Sequence, residues 1–157
     1  MRVAIVPEPG RIEVVYAPVP TTSEYEALVE IPTWSICSGT DTHIVHDQFP
    51  MRVYPCVLGH ESIGRDIECG AAMRNLKPGD LVLRPTAVRP GETLGGYNSM
   101  FGGFAEYGIV ADAGAIIADT PRGDAPKLPP FALAQQVTPA TFDLDLAGMF
   151  ITFKENH

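Results

Sequence analysis

Side chains that ligate metals or move protons fall in two short stretches: Cys37, Thr40, Asp41, His43 and His46, then His60 and Glu61. Zinc takes thiolate, imidazole and carboxylate ligands, and a catalytic zinc needs only three from the protein, leaving a fourth position open to water or substrate. Cys37, His60 and Glu61 meet that requirement by type. Each also has a plainer reading. A lone cysteine behind an apolar strand behaves as a small hydrophobe, and solvent exposure accommodates the adjacent ionisable pair in Leu58-Gly59-His60-Glu61 unless partners meet it in the interior. His43 and His46 share a face if their segment is helical. A solvated turn suits them equally, and His46 is read as solvated. Cys56 and Cys69 have no second cysteine or histidine at metal-knuckle spacing and are read as structural.

Other chemistries find less support. No Gly-x-Ser-x-Gly elbow is present, and Cys37 with a distant histidine does not define a thiol enzyme. Gly95-Gly96 and Gly102-Gly103 sit between strands instead of between a strand and a helix, so no phosphate-cradling loop is visible.

The elements that must hold these side chains are short. Glycine and proline contribute 15 residues each to the 157, roughly a fifth of the chain against a background of about 12%. They punctuate apolar and β-branched runs in the manner of an all-β domain. Met1 to Val6, closed by Pro7, Pro9 and Gly10, pairs by pattern with Arg11 to Tyr16 as a hairpin. Glu26 to Trp34 reads as a strand with Ala27, Val29 and Ile31 on one face. Ser35 to His46 has the composition of turns, helix starts and sites. Val57 to Glu61 continues through Ser62 to Glu68 as a strand pair or one bent strand, and Lys77-Pro78-Gly79-Asp80 turns the chain into Leu81 to Leu83. Arg84 to Gly103 is a long loop, so it is expected to be functional or to cover something. Phe104 to Val110 and Ala115 to Ala118 are expected to be the last strands. Thr120 to Pro130 is a proline-rich connector, and Phe131 to Gln136 and Leu144 to Lys154 have helical spacing.

Composition narrows the function classes. The 11 basic residues are scattered against 19 acidic ones, a net charge of -8, which provides no footprint for a phosphate backbone. Nucleic acid is therefore not expected as a partner. No apolar run approaches the length of a membrane span, and Met1 to Val6 lacks the basic and apolar regions of an export signal. A cytoplasmic, non-membrane protein is expected. Three cysteines without such a signal argue against a disulfide framework.

Taken in order, Trp34-Ser35-Ile36-Cys37-Ser38-Gly39-Thr40-Asp41-Thr42-His43, Tyr54-Pro55-Cys56-Val57-Leu58-Gly59-His60-Glu61, Lys77-Pro78-Gly79-Asp80-Leu81-Val82 and Gly102-Gly103-Phe104-Ala105-Glu106-Tyr107 resemble the N-terminal, GroES-like half of the zinc-dependent medium-chain dehydrogenases and reductases, the alcohol dehydrogenase superfamily. The resemblance implies a mainly β fold: a partly open β-barrel with a few short helices and a C-terminal helical segment. It implies catalytic zinc on Cys37, His60 and Glu61, with Asp41 orienting a ligand. Thr40 would be the hydroxyl that passes the alcohol's proton, and His43 would extend that relay. NAD or NADP would bind a Rossmann domain that follows.

The chain departs from the family pattern in three places. Ser38 separates Cys37 from Gly39-Thr40-Asp41, so alignment on the latter puts Ser38 at the thiolate position, and either the loop shifts to present Cys37 or the site is weakened or lost. The Arg84 to Gly103 region has no cysteine, so no structural zinc is expected. Nothing after Phe131 carries the strand, glycine-rich turn and helix of a dinucleotide-binding unit. The expected organisation is a GroES-like catalytic domain over residues 1–130 and a helical connector over 131–157 that would lead into an absent coenzyme domain.

The function expected is the zinc- and substrate-binding domain of an oxidoreductase acting on a small alcohol or aldehyde, inactive alone. Self-association through the face left for the coenzyme domain is expected as well. A non-catalytic binding or assembly module is the alternative, and a small zinc hydrolase using the same three ligands is a weaker one.

Overall fold

The computed structural model describes residues 1–51, 53–129 and 132–135. Two open sheets form the body. β1 (Arg2–Val6) and β2 (Glu13–Tyr16) make the expected antiparallel hairpin, with Val3 opposite Val15 and Ala4 opposite Val14. β3 spans Glu26–Ser35. Ala27 and Val29 are fully buried on it and Ile31 is 6% exposed, the face that the alternation assigns to the core. α1 (Thr40–Val45) follows within the stretch read as turns and helix starts.

The region read as one strand pair or a bent strand is two strands in different sheets. β4 (Cys56–Val57) pairs with β1, while β5 (Glu61–Cys69) pairs with β3. The chain changes sheet across Leu58-Gly59-His60, and glycine is required at the crossing. Gly59 has φ +105°, and a Cβ there would lie 2.3 Å from a ring carbon of Phe104 and 2.6 Å from its backbone nitrogen. Gly59→Ala combines left-handed strain with a backbone clash and is expected to lower stability by about 2–3 kcal/mol. Urea unfolding of the two proteins side by side checks this; equal midpoints would refute the clash.

β6 (Leu81–Leu83) lies on the far side of β5. The Arg84 to Gly103 region, read as loop throughout, contains a small hairpin, β7 (Thr93–Leu94) and β8 (Tyr97–Ser99). Gly95 and Gly96, at φ +60° and +90°, supply the two left-handed residues that a two-residue hairpin turn needs. β8 pairs in parallel with β4, and β9 (Tyr107–Ala111) pairs with β3. The resulting orders are β2-β1-β4-β8-β7 and β6-β5-β3-β9, with a Val3–Ala105 bridge between the sheets. They do not close into a barrel.

One element differs in type. Ala115 to Ala118, expected as strand, lies in α2 (Ala113–Asp119). Asp112 caps it, its carboxylate accepting from the Ala115 N–H at 2.9 Å and from the Arg74 and Asn75 N–H groups at 2.7 and 2.8 Å. Those bonds fix a helix start where the β-branched pair Ile116-Ile117 suggested a strand. α3 (Ala132–Gln135) falls within the expected Phe131 to Gln136 helix; the expected helix over Leu144 to Lys154 lies outside the described residues.

Candidate metal centre and adjoining cleft

The β3–β5 register brings the two chemical stretches together. Ser35 at the end of β3 is opposite Glu61 at the start of β5, so Cys37 and His60 lie just beyond the paired ends and face one another. The Cys37 Sγ, an imidazole nitrogen of His60 and a carboxylate oxygen of Glu61 all fall within 4.8 Å of one another. Among the described residues this is the only such cluster of three potential ligands. All three residues are half-buried, reachable by a small molecule.

Asp41 fixes the histidine. It is 3% exposed, and its Oδ2 accepts the Cys37 backbone N–H at 2.9 Å. Its Oδ1 lies 3.4 Å from His60 Nδ1, and neither of those buried atoms has another hydrogen-bond partner. His60 Nε2 is on the Glu61 side, 3.7 Å from Oε1. A carboxylate facing Nδ1 selects the tautomer whose Nε2 lone pair is free for a metal. Burial pushes the Asp41 carboxyl up, against the Cys37 N–H and His60, which pull it down. The Thr40 N–H donates to Cys37 Sγ at 3.4 Å, a bond that favours a thiolate. The donor set and these orienting contacts fit zinc.

The other candidates contribute no ligand atom to the cluster. Thr40 begins α1, half-buried; His43 is exposed in the last turn, and His46 is exposed at the C-cap. Ser38 is exposed, and it is Cys37 whose sulfur enters the cluster. Cys56 is fully buried and its thiol is pushed up to about 11 by burial, as suits an inert core residue. Cys69 is half-buried, and burial with the nearby Asp66, Asp80 and Asp112 raises its thiol.

His60 also borders a cleft of about 270 Å³. Met51, Met100 and Phe101 form apolar wall, with the Phe101 ring 5.2 Å from the His60 ring. Arg84 and Ser99 add polar groups. Sequence reasoning flagged the length of the loop that carries them but nominated neither residue, because no local signal separates them from other turn residues.

The family model for the alcohol dehydrogenase GroES-like domain matches residues 23–121. The chain belongs to that family. An alcohol dehydrogenase of Cupriavidus necator is 37% identical over 83 residues, covering 53% of this chain and 22% of the relative. S-(hydroxymethyl)glutathione dehydrogenase of Escherichia coli is 33% identical over 92 residues, 58% of this chain and 25% of the relative. Among solved structures, a chain described as a zinc-binding dehydrogenase from Sinorhizobium meliloti 1021, bound to NADP, superposes with TM-score 0.56 and 29% identity, covering 71% of this chain and 36% of that one. The alcohol dehydrogenase of Thermus sp. ATN1 gives TM-score 0.55 and 30% identity over 73% of this chain and 38% of its own. The matched part of this GroES-like chain thus spans about a quarter of these curated relatives. The mainly β fold is that of these solved dehydrogenases. Among the described residues no helix is long and apolar enough to cross a membrane.

Proposed function

We propose that this GroES-like domain is the zinc- and substrate-binding part of a nicotinamide-linked oxidoreductase acting on a small alcohol or aldehyde. The observation that carries the reading is the convergence of Cys37, His60 and Glu61 within 4.8 Å in a chain of this family. Those three residues hold the metal. When bound, zinc supplies the Lewis acidity that lowers an alcohol's pKa and so eases loss of hydride. Asp41 keeps the His60 Nδ1 proton and leaves Nε2 to the metal. Thr40 takes the proton that the alcohol gives up, and His43, three residues on and exposed to solvent, passes it to water. NAD or NADP enters with a coenzyme domain, in keeping with the NADP held by the Sinorhizobium relative. Residues 1–130 are the catalytic domain and 131–157 the connector towards that partner.

Turnover requires a coenzyme domain to supply the hydride acceptor. Trp34, Ile36 and Met51, exposed by 48%, 66% and 56%, offer apolar surface for association with such a domain or a second copy. The free Cys37, Cys56 and Cys69 suit a reducing, cytoplasmic setting.

Native mass spectrometry of the purified chain with elemental analysis tests the metal site and reads oligomeric state from the same sample. One zinc per chain is expected. A chain that takes up no added zinc while keeping its fold would overturn this reading and favour a non-catalytic binding module.

A further inference from the structure

We infer that the cleft beside His60 selects an alcohol carrying a phosphate or carboxylate, which Arg84 and Ser99 hold at the end away from the metal ligands. The inference rests on the proposed metal site for the position of the reacting end; the anion site rests on its own observations. Net charge makes the first of these notable. With 19 acidic and 11 basic residues, acidic partners for arginine are abundant, and Arg2, Arg11, Arg74 and Arg89 all have one, in Glu106, Glu13, Asp119 and Glu26. Among the described residues Arg84 and Arg122 have no carboxylate partner, and of the two it is Arg84, exposed, that lines the cleft.

Its backbone is held firmly. Arg84 stands at φ +52°, an uncommon conformation for a side-chain-bearing residue. Its N–H donates to the Ser62 carbonyl at 2.9 Å, and its own carbonyl accepts from Gln135 Nε2 at 2.9 Å. The left-handed turn after β6 is therefore tied both to β5 and to α3, which fixes the root of the guanidinium at the cleft.

The other polar groups of the cleft divide into used and unused. Gln135 spends its amide on the Arg84 carbonyl and the Ala111 N–H, and the Thr86 hydroxyl donates to the Val88 carbonyl at 2.7 Å. The Ser99 Oγ is buried and has no hydrogen-bond partner. A cleft with apolar walls thus keeps in hand one guanidinium, and one of its lining residues, Ser99, holds a buried hydroxyl with no partner. Both donate, and a guanidinium matches a carboxylate or phosphate with two parallel bonds. Among the described residues no carboxylate is a wall residue of the cleft.

Backbone-resolved NMR titration of the zinc-supplied chain with glycerol 3-phosphate, and with glycerol as the neutral match, tests this. Glycerol 3-phosphate is expected to bind at least about 10-fold more tightly than glycerol, with shifts at Arg84 and Ser99. Arg84→Gln should remove that preference, Arg84→Lys should keep part of it, and Ser99→Ala should weaken it less than Arg84→Gln does. Equal affinities, or a preference that survives Arg84→Gln, would overturn the inference. Two further probes separate sources of the anion. Inorganic phosphate binding as tightly as glycerol 3-phosphate would mark a simple anion site, and NADP moving the Arg84 resonance where glycerol 3-phosphate does not would mark a cofactor phosphate; either outcome overturns the substrate assignment. Zinc content on the same samples keeps the two readings distinct. Zinc retained without phosphate preference removes this inference alone, and Arg84-dependent preference without zinc removes the metal site alone.

Discussion

Cys37→Ala lowers the zinc affinity of the purified chain by about 10²-fold or more, and His60→Ala does the same. The magnitude follows from the binding free energy of protein zinc sites, about 10–16 kcal/mol over four ligands, or about 3 kcal/mol for each. Cys37→Ser recovers little, because a neutral hydroxyl replaces a thiolate. Ser38→Ala is the informative control. Ser38 is exposed while the Cys37 sulfur is in the cluster, so zinc affinity should not change; a loss in Ser38→Ala with Cys37→Ala unaffected would reverse the assignment of the thiolate position. Asp41→Asn tests the next layer. It removes the negative oxygen 3.4 Å from His60 Nδ1 without touching a ligand, and a roughly 10-fold loss is expected. Isothermal titration with a competing chelator measures the wild type and the five variants, and far-ultraviolet circular dichroism of each excludes loss of fold as the cause.

The same cluster marks where sequence reasoning stops. Cys37, His60 and Glu61 are legible as ligand types, and the four ordered motifs carry the family. Which of Cys37 and Ser38 faces the site depends on the pairing of Ser35 with Glu61, a long-range register that no local pattern encodes. The β1–β2 hairpin and the buried face of β3 are legible because one sheet face is core and the other is wet, so alternation survives in the residues. Lys77-Pro78-Gly79-Asp80 is legible for a local reason: Gly79 takes φ +95° and the Asp80 carboxylate accepts the Lys77 N–H at 3.0 Å. α2 is misread because its type is decided by Asp112, whose partners Arg74 and Asn75 are nearly forty positions away. Arg84 stays hidden for the opposite reason. Its distinction is its place in the cleft wall without a carboxylate partner, and both are properties of the folded molecule alone.

Asp66 is expected to make the chain lose stability as pH rises from about 4 to about 7, the reverse of the usual behaviour of paired carboxylates. It lies on β5 opposite Val29 and is 1% exposed. Its backbone is paired with Asp80 and Gly79, but both side-chain oxygens lack hydrogen-bond partners. Burial, with a smaller contribution from the Asp80 charge, pushes its carboxyl up to about 7, against an ordinary value of about 3.9 in an unfolded chain. Below about pH 4 both states hold the proton and the group costs nothing by ionisation. Between the two values the unfolded chain releases a proton that the folded chain keeps, so stability falls by about 4 kcal/mol across the window and then levels off. Glu26 and Asp112 have depressed carboxyls and act in the opposite sense, but their contribution is lost only as pH falls below the ordinary carboxylate range. The two windows are therefore separable. Asp66→Val replaces an unpartnered carboxyl by a side chain of the kind already facing it in Val29, and should be more stable than the wild type by about 4 kcal/mol at pH 8, with the difference shrinking towards pH 4. Urea midpoints measured from pH 4 to pH 8 decide it: a wild-type curve that is flat or rising between pH 5 and 7, or a valine variant no more stable at pH 8, would show that the Asp66 carboxylate is solvated or paired in solution.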